Sequence, residues 1–290
     1  MRISDILNSD KITISFEVFP PKTGASFENV LETSRRIAAL KPAFMSVTYG
    51  AGGGTSEFTA DIAADLQDTY GVPMLAHLTC VSSTKDFVAA TVEKYKERGI
   101  ENIMALRGDI PKDGKIADDY RHASELIYEL KEMGDFCIGG ACYPEGHVES
   151  EYKKEDLKHV KEKVDAGCDF LTSQMFFDNN IFYNFLYRAR EAGIFCPIVP
   201  GIMPITAKKQ LANSVAMSGT NVPARFSAIV DRFGDDPAAM QQVGIVYASD
   251  QIIDLIANGV NHIHVYSMNK PEVAEGILAN LSKVLEGDFS

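Results

Sequence analysis

Hydrophobic and polar positions along the chain follow two periods in turn. Short apolar runs of strand character are ITISFEVFPP (12–21), FMSVTYG (44–50), PMLAHLTC (73–80), NIMALRGD (102–109), CIGGACYPE (137–145) and FLTSQMFFD (170–178). Between them, over 26–40, 56–71, 84–99, 122–134, 155–167 and 180–193, apolar residues recur at i, i+3, i+4 and i+7, the period of an amphipathic helix. A Gly closes most of these segments at the C′ position, where a left-handed residue ends a helix. The pattern then predicts a seventh strand over 195–205, two or three helices across 207–259, an eighth strand over 262–268 and a last helix over 271–285.

Eight strand–helix alternations, with strand starts about thirty residues apart until the last gap, match a (β/α)8 TIM barrel better than a doubly wound sheet with a second domain. No linker or shift of composition divides the chain, so one catalytic barrel domain is expected over 1–290. The extra helices between strands 7 and 8 read as an insertion that covers the pocket mouth or carries a subunit contact. Six successive strands run out in polar groups: Glu17, Thr48, His77, Arg107 with Asp109, Tyr143 with Glu145, and Gln174. A buried strand carries an ionisable group only where the group is paired or has work to do. A closed barrel delivers all six ends to one C-terminal mouth.

Composition narrows the classes. The 290 residues are 46% hydrophobic and 23% charged, enough for a large core. A net charge of −12 and no Lys/Arg run argue against nucleic acid as a partner. No stretch of about 18 apolar residues is present to span a membrane, and the start lacks a signal peptide's basic and apolar regions. The five cysteines are dispersed with no C-x-x-C, as reduced thiols in a cytoplasmic protein would be, and no metal site is expected.

Each motif has two readings. Glu17 points away from Ile12, Ile14 and Phe16; it is either a rim carboxylate paired with Lys or Arg, or a general acid raised by an apolar neighbourhood of Phe16, Phe19 and Pro20–Pro21. The glycine-rich run 50–54 is a poor dinucleotide fingerprint; it lets a ligand lie close to the backbone or simply makes the turn. Arg107-Gly108-Asp109 is a loop-holding ion pair, or an anion aimed at a developing cation. Gln174, an amide in an apolar strand, is satisfied by backbone or by a ligand with donor and acceptor edges. His77 alone is often a satisfied core residue. Tyr143-Pro144-Glu145-Gly146-His147 loads one turn with a phenol, a carboxylate and an imidazole. Together these groups favour a planar heteroaromatic ligand over a metal or a nucleophile, and no G-x-S-x-G or H-E-x-x-H is present.

In their order, SFEVFPPK, SVTYGAGG, AHLTC, ALRGD, YPEGH and TSQMFFD resemble the flavin-dependent methylenetetrahydrofolate reductases, over roughly 12–285. The chain looks like the short bacterial form, without a C-terminal regulatory domain. The resemblance implies FAD, with FMN as the alternative, and NADH or NADPH as donor. The reaction it implies is reduction of 5,10-methylenetetrahydrofolate to 5-methyltetrahydrofolate in one-carbon metabolism and methionine biosynthesis. It makes Glu17 the general acid and Asp109 the carboxylate that stabilises the cation. Flavin contacts carried over by motif are Thr48, His77, Arg107, Gly108, Asp109 and the pair His122–Ala123. Tyr143, His147, Asp156 and Lys163 complete that set. On the folate side stand Glu17, Thr48, Asp109, Gln174, Gln210, Phe226 and Lys270.

Two departures go with it. Lys270 stands where relatives commonly carry Arg, which weakens bidentate recognition, and Glu162 and His159 stand where relatives often carry Arg and Asn. A carboxylate there repels phosphate, which is why FMN stays open. The expected partners are the folate substrate and a second copy in a homo-oligomer, with a partner subunit as a further option. Other readings on the same barrel are an electron-relay flavin subunit of a larger complex, a flavin-dependent amino-acid dehydrogenase, and a pterin-binding methyltransferase.

Overall fold

A computed structural model describes residues 1–21, 26–49, 56–110, 116–147 and 153–287. In chain order the first half holds α1 (Ile3–Leu7), β1 (Thr13–Val18), α2 (Phe27–Ala38), β2 (Met45–Val47), α3 (Ser56–Tyr70), β3 (Met74–Thr79), α4 (Lys85–Glu97), β4 (Asn102–Leu106) and α5 (Ala123–Met133). The second half holds β5 (Cys137–Cys142), α6 (Lys153–Asp165), β6 (Phe170–Ser173), α7 (Asn179–Glu191), β7 (Ile198–Val199), β8 (Gly201–Ile202), α8 (Lys208–Ser218), α9 (Ala224–Phe233), α10 (Pro237–Ala257), β9 (His262–Tyr266) and α11 (Pro271–Glu286).

All strand pairs are parallel, in the order β7-β6-β5-β4-β3-β2-β1-β9-β8. The two ends of that order belong to one segment, interrupted only at Pro200. Ile198 and Val199 pair with β6 while Gly201 and Ile202 pair with β9, so the sheet closes into a (β/α)8 barrel. The single strand expected over 195–205 is therefore split. Proline has no N–H for the ladder, and Pro200 contributes only its carbonyl, which accepts from the His264 N–H at 3.0 Å.

The strands divide their side chains between two cores by parity. Ile14, Phe16 and Val18 of β1, like Ile103 of β4 and Ile263 and Val265 of β9, join the large core between barrel and helices. The opposite face fills the barrel in layers. At the floor, Phe44, Leu75, Met104, Cys137, Phe170 and Val199 pack with Ile3 and Leu7 of α1. This helix has no counterpart in the sequence pattern; it plugs the N-terminal end, and the buried Asn102 of β4 accepts from the Ile3 N–H at 2.9 Å. Above the floor the interior turns polar, with Ser15, Glu17, Ser46, His77, His264 and Tyr266.

The insertion between β8 and β9 folds as α8, α9 and α10. It packs its own cluster of Met175, Phe177, Ile205, Phe226, Val230, Met240 and Tyr247 over one side of the barrel. α10 starts on Asp236, whose side chain accepts from the Ala238 and Ala239 N–H groups, with Pro237 in the first turn.

Candidate active site

The polar strand ends converge on one cavity of about 1240 Å³. Its lining takes Glu17 from β1, His77 and Thr79 from β3, Ala141 from β5, and residues just past the ends of β2, β4, β5 and β6. β2 stops at Val47 and β6 at Ser173, shorter than the sequence suggests, so Thr48 and Gln174 sit on the first step of their loops. The glycine-rich run 50–54 lies outside the described residues. α6 and α5 complete the wall with Asp156, His159, Glu162 and Lys163, and with Ala123 beside His122.

Glu17 sits deepest. Period-two geometry turns it into the barrel, registered between Ser46 of β2 and Tyr266 of β9. The Ser46 hydroxyl donates to its Oε2 at 3.3 Å, and the Nε2 atoms of His77 and His264 lie 3.6 and 3.9 Å from the same oxygen. Burial alone would raise this carboxyl. The hydrogen bond from His264, the charges of His77 and His264 and the Ser46 hydroxyl outweigh it, and the net displacement is downward. The apolar neighbourhood expected to raise Glu17 is not there. Phe16 faces the helix-side core by alternation, and Phe19, one residue past the end of β1, is exposed. Nor, among the described residues, is a rim lysine or arginine the partner; two imidazoles and the Ser46 hydroxyl surround the carboxylate's position. Burial pushes His77 down to about 4, partly resisted by the charge of Glu17 and helped by that of His264. It is therefore a neutral ring at neutral pH, and it acts on Glu17 there as a dipole rather than as a full charge. Its Nε2 is buried without a hydrogen-bond partner among the described residues.

Around the mouth, Gly108 takes φ +84°, and a Cβ there would meet Thr79 Cβ at 3.0 Å. Only glycine allows this turn, which carries Arg107 and Asp109 on either side. Arg107 Nε donates back to the Gly108 carbonyl at 3.2 Å. Tyr143 and His147 meet edge to face at 4.6 Å, and burial, then the negative charges of Asp109 and Asp156, raise the Tyr143 phenol to about 12. Lys163 is lowered by burial and donates to the Ala141 carbonyl at 2.7 Å; Asp156, 6% exposed, is raised by burial against the pull of Lys163 and His147. The Gln174 carbonyl oxygen accepts from the Met175 N–H at 2.9 Å, which leaves the NH2 of the amide for a ligand. Backbone thus satisfies half of this side chain.

At the far end, the Glu125 carboxylate accepts from the Arg121 and His122 N–H groups and fixes the start of α5. That places the His122 ring in a stack with His159 at 5.4 Å, and His159 Nδ1 lies 3.0 Å from Glu162 Oε2. The Glu162 carboxylate at this wall is accordingly engaged by an imidazole.

Three expected substrate residues do not line the cavity. Gln210 Oε1 accepts from the Thr206 N–H and its Nε2 donates to the Pro204 carbonyl, which pins the turn into α8. Lys270 Nζ donates to Thr206 Oγ1 at 2.7 Å in the same cluster. Phe226 is 1% exposed, stacked on Tyr247 at 4.1 Å in the core that anchors α9, so it offers no free face. The resemblance put Phe226 on the folate side, but the apolar face of α9 must itself be buried and Phe226 belongs to it. Glu145 likewise turns outward, where it accepts from the Asn221 N–H and clamps the loop after α8. From the insertion, Met217 alone among the described residues reaches the cavity. Sequence reasoning missed Ser15, Ser46 and His264; the alternation in HIHVY, with Ile263 and Val265 outward, is the signal that places His264 inside.

The family model for methylenetetrahydrofolate reductase matches residues 2–282. The 5,10-methylenetetrahydrofolate reductase of Pectobacterium carotovorum subsp. carotovorum is 37% identical over 271 residues, covering 93% of this chain and 90% of that protein. The enzyme of the same name from Escherichia coli K12 is 36% identical over 93% of this chain and 91% of its own length. Methylenetetrahydrofolate reductase (NADH) 1 of Arabidopsis thaliana is 34% identical over the whole chain, which spans only 51% of that relative. The chain thus covers about half the length of the plant relative and about nine-tenths of the bacterial ones. Among solved structures, an uncharacterized Clostridium thermocellum protein that binds two copies of 5-methyl-5,6,7,8-tetrahydrofolic acid shares the fold at TM-score 0.65 and 16% identity, over 99% of both chains.

Proposed function

The chain belongs to the methylenetetrahydrofolate reductase family, and on that premise we propose that it reduces 5,10-methylenetetrahydrofolate to 5-methyltetrahydrofolate in the cavity at the C-terminal mouth of the barrel. The observation that carries this reading is the meeting of Glu17 of β1 with Asp109 and Gln174, from the loops after β4 and β6, on that cavity. A flavin fits the same wall. The volume admits a dinucleotide-sized ligand, the Nε2 of His77 is buried with an unmet hydrogen bond, and Gly108 keeps a backbone edge clear of any Cβ. Arg107, Tyr143, His147, Asp156 and Lys163 would hold it, with His122, Ala123 and His159 toward its tail. Bound there, it supplies two-electron transfer between a nicotinamide donor and the folate.

The protein's own part is charge. Glu17 protonates a nitrogen of the folate's five-membered ring, so that its bond to the methylene carbon opens and leaves an iminium cation. Asp109 faces that cation and stabilises it. Gln174 offers its NH2 to the pterin edge, and Thr48 adds a hydroxyl. Ligand binding also removes water from the cavity side of Glu17, and desolvation raises a carboxyl toward the value that an acid needs. Lys270, Gln210 and Thr206 form a second polar cluster beyond the cavity that suits the distal end of the substrate.

We assign NADH as donor, in line with the plant relatives' names, and FAD as cofactor. Anaerobic incubation of the purified holoprotein with NADH and methylenetetrahydrofolate should yield one 5-methyltetrahydrofolate per NADH oxidised, read by chromatography. NADH oxidation with an artificial acceptor but no methylated product would overturn the reading. Chromatography of the released flavin should show FAD; FMN would refute that assignment.

A further inference from the structure

We propose that Glu17 and His264 share a single proton through the hydroxyl of Ser46, and that His264 holds this proton until Glu17 hands it to the substrate. This deepens the function proposed above and rests on it. The Ser15 hydroxyl has only one hydrogen to give. Ser15 Oγ donates to the Ile263 carbonyl at 3.0 Å and lies 2.8 Å from His264 Nδ1. With its proton committed to a carbonyl that can only accept, Ser15 must accept from Nδ1–H. The tautomer of His264 is thereby fixed, and Nε2 faces the site.

On that side Ser46 Oγ lies 3.1 Å from His264 Nε2 and 3.3 Å from Glu17 Oε2. The same heavy-atom positions serve two protonation states. With Glu17 protonated, its O–H donates to Ser46 and the Ser46 O–H donates to Nε2. With Glu17 ionised, Nε2–H donates to Ser46 and Ser46 to Glu17. In going from the first state to the second, the Glu17 O–H and Ser46 O–H bonds break while Ser46 O–H and Nε2–H bonds form; no proton enters or leaves. Run in reverse, the relay brings the proton held on Nε2 to Glu17 from the side opposite the ligand, and Glu17 passes that one proton to the substrate, which leaves Glu17 ionised and His264 neutral.

The setting holds the ring still. His264 is 2% exposed, with Phe44 stacked on its face and Tyr266 on its edge, both at 5.6 Å between centroids. Besides Glu17, the titratable groups around it are His77 of β3 and Tyr266 of β9. His77 is held neutral, and Tyr266 spends its hydroxyl proton on the Ser173 carbonyl at 2.6 Å. Among the described residues, His264 alone is wired to Glu17 through a hydroxyl.

His264 and Ser46 are positioning residues in this scheme, and two measurements test it. Imidazole ¹⁵N NMR of the wild-type holoprotein should find His264 protonated at Nδ1, with an Nε2 signal that changes in Glu17→Gln, because the amide cannot take up the shared proton. An Nδ1-bare ring, or an Nε2 signal indifferent to Glu17→Gln, would overturn the proposal without any substrate present. In single-turnover oxidation by methylenetetrahydrofolate, Ser46→Ala should slow the step by tenfold or more, roughly the scale of proton-transfer effects, and displace its pH profile, while Ser46→Thr restores both. A wild-type rate and profile in Ser46→Ala would also overturn it. Absence of methylated folate from the wild-type protein would instead defeat the function it rests on, and the NMR result would stand by itself.

Discussion

Burial strips the His77 ring of water and gives its Nε2 no hydrogen-bond partner, so the protein holds that side chain neutral down to about pH 4. The unfolded chain protonates the same histidine near its ordinary value of about 6.5. Below that value the unfolded state binds more protons than the folded one. The stability contributed by His77 is therefore complete above about pH 6.5 and is lost as pH falls toward 4, by up to about 3 kcal/mol. Glu17 adds to the same trend, because a lowered carboxyl stabilises the fold above its unfolded value and loses that contribution as pH falls through the folded one. Chemical denaturation between pH 7 and pH 4.5 should show a smaller loss of stability in His77→Gln than in wild type. Parallel curves for the two would contradict this. Gly108 makes a second residue-scale case: Gly108→Ala forces a side chain into φ +84° against Thr79 and should lower stability by about 1–2 kcal/mol, read from the unfolding midpoint.

Among the elements, periodicity located those that bury one long face and failed where the packing reason is not periodic. The helices from α2 to α7 fall within a residue or two of their apolar stripes. α1 was invisible because five residues complete little more than a turn; its reason to exist is the barrel floor that Ile3 and Leu7 cover. Strand 7 misled because PIVPGIMPI reads as one apolar run, while Pro200 divides its ladder between two neighbours. Two substitutions test these contacts. Leu7→Ala should cost about 2–5 kcal/mol by emptying the floor, with ligand binding at the distant mouth preserved. Gly244→Ala would drive a Cβ of α10 into the Ile205 carbonyl, so it should lower the Tm sharply and loosen the α9–α10 cluster; an unchanged Tm would show that α10 can retreat at no cost.

For the molecule as a whole, barrel closure turns a one-dimensional pattern into a site. Glu17, His77 and Gln174 were readable because a polar residue in or just past a buried strand has few explanations, and the topology brings all three to one cavity. Gln210, Phe226 and Lys270 were less readable. They belong to or border the insertion between β8 and β9, whose helices answer to their own small core rather than to the strand period. Ser15, Ser46 and His264 escaped notice because a serine or a lone histidine is bland until its neighbours across the sheet are known. In the proposed reaction Glu17 gives the folate its proton. The decisive measurement follows the two half-reactions of Glu17→Gln separately by stopped flow. Cofactor binding and reduction by NADH should persist within severalfold of wild type. Oxidation by methylenetetrahydrofolate should fall by at least about a hundredfold, the low end of what a general acid contributes. Equal loss of both half-reactions, or loss of neither, would contradict that role.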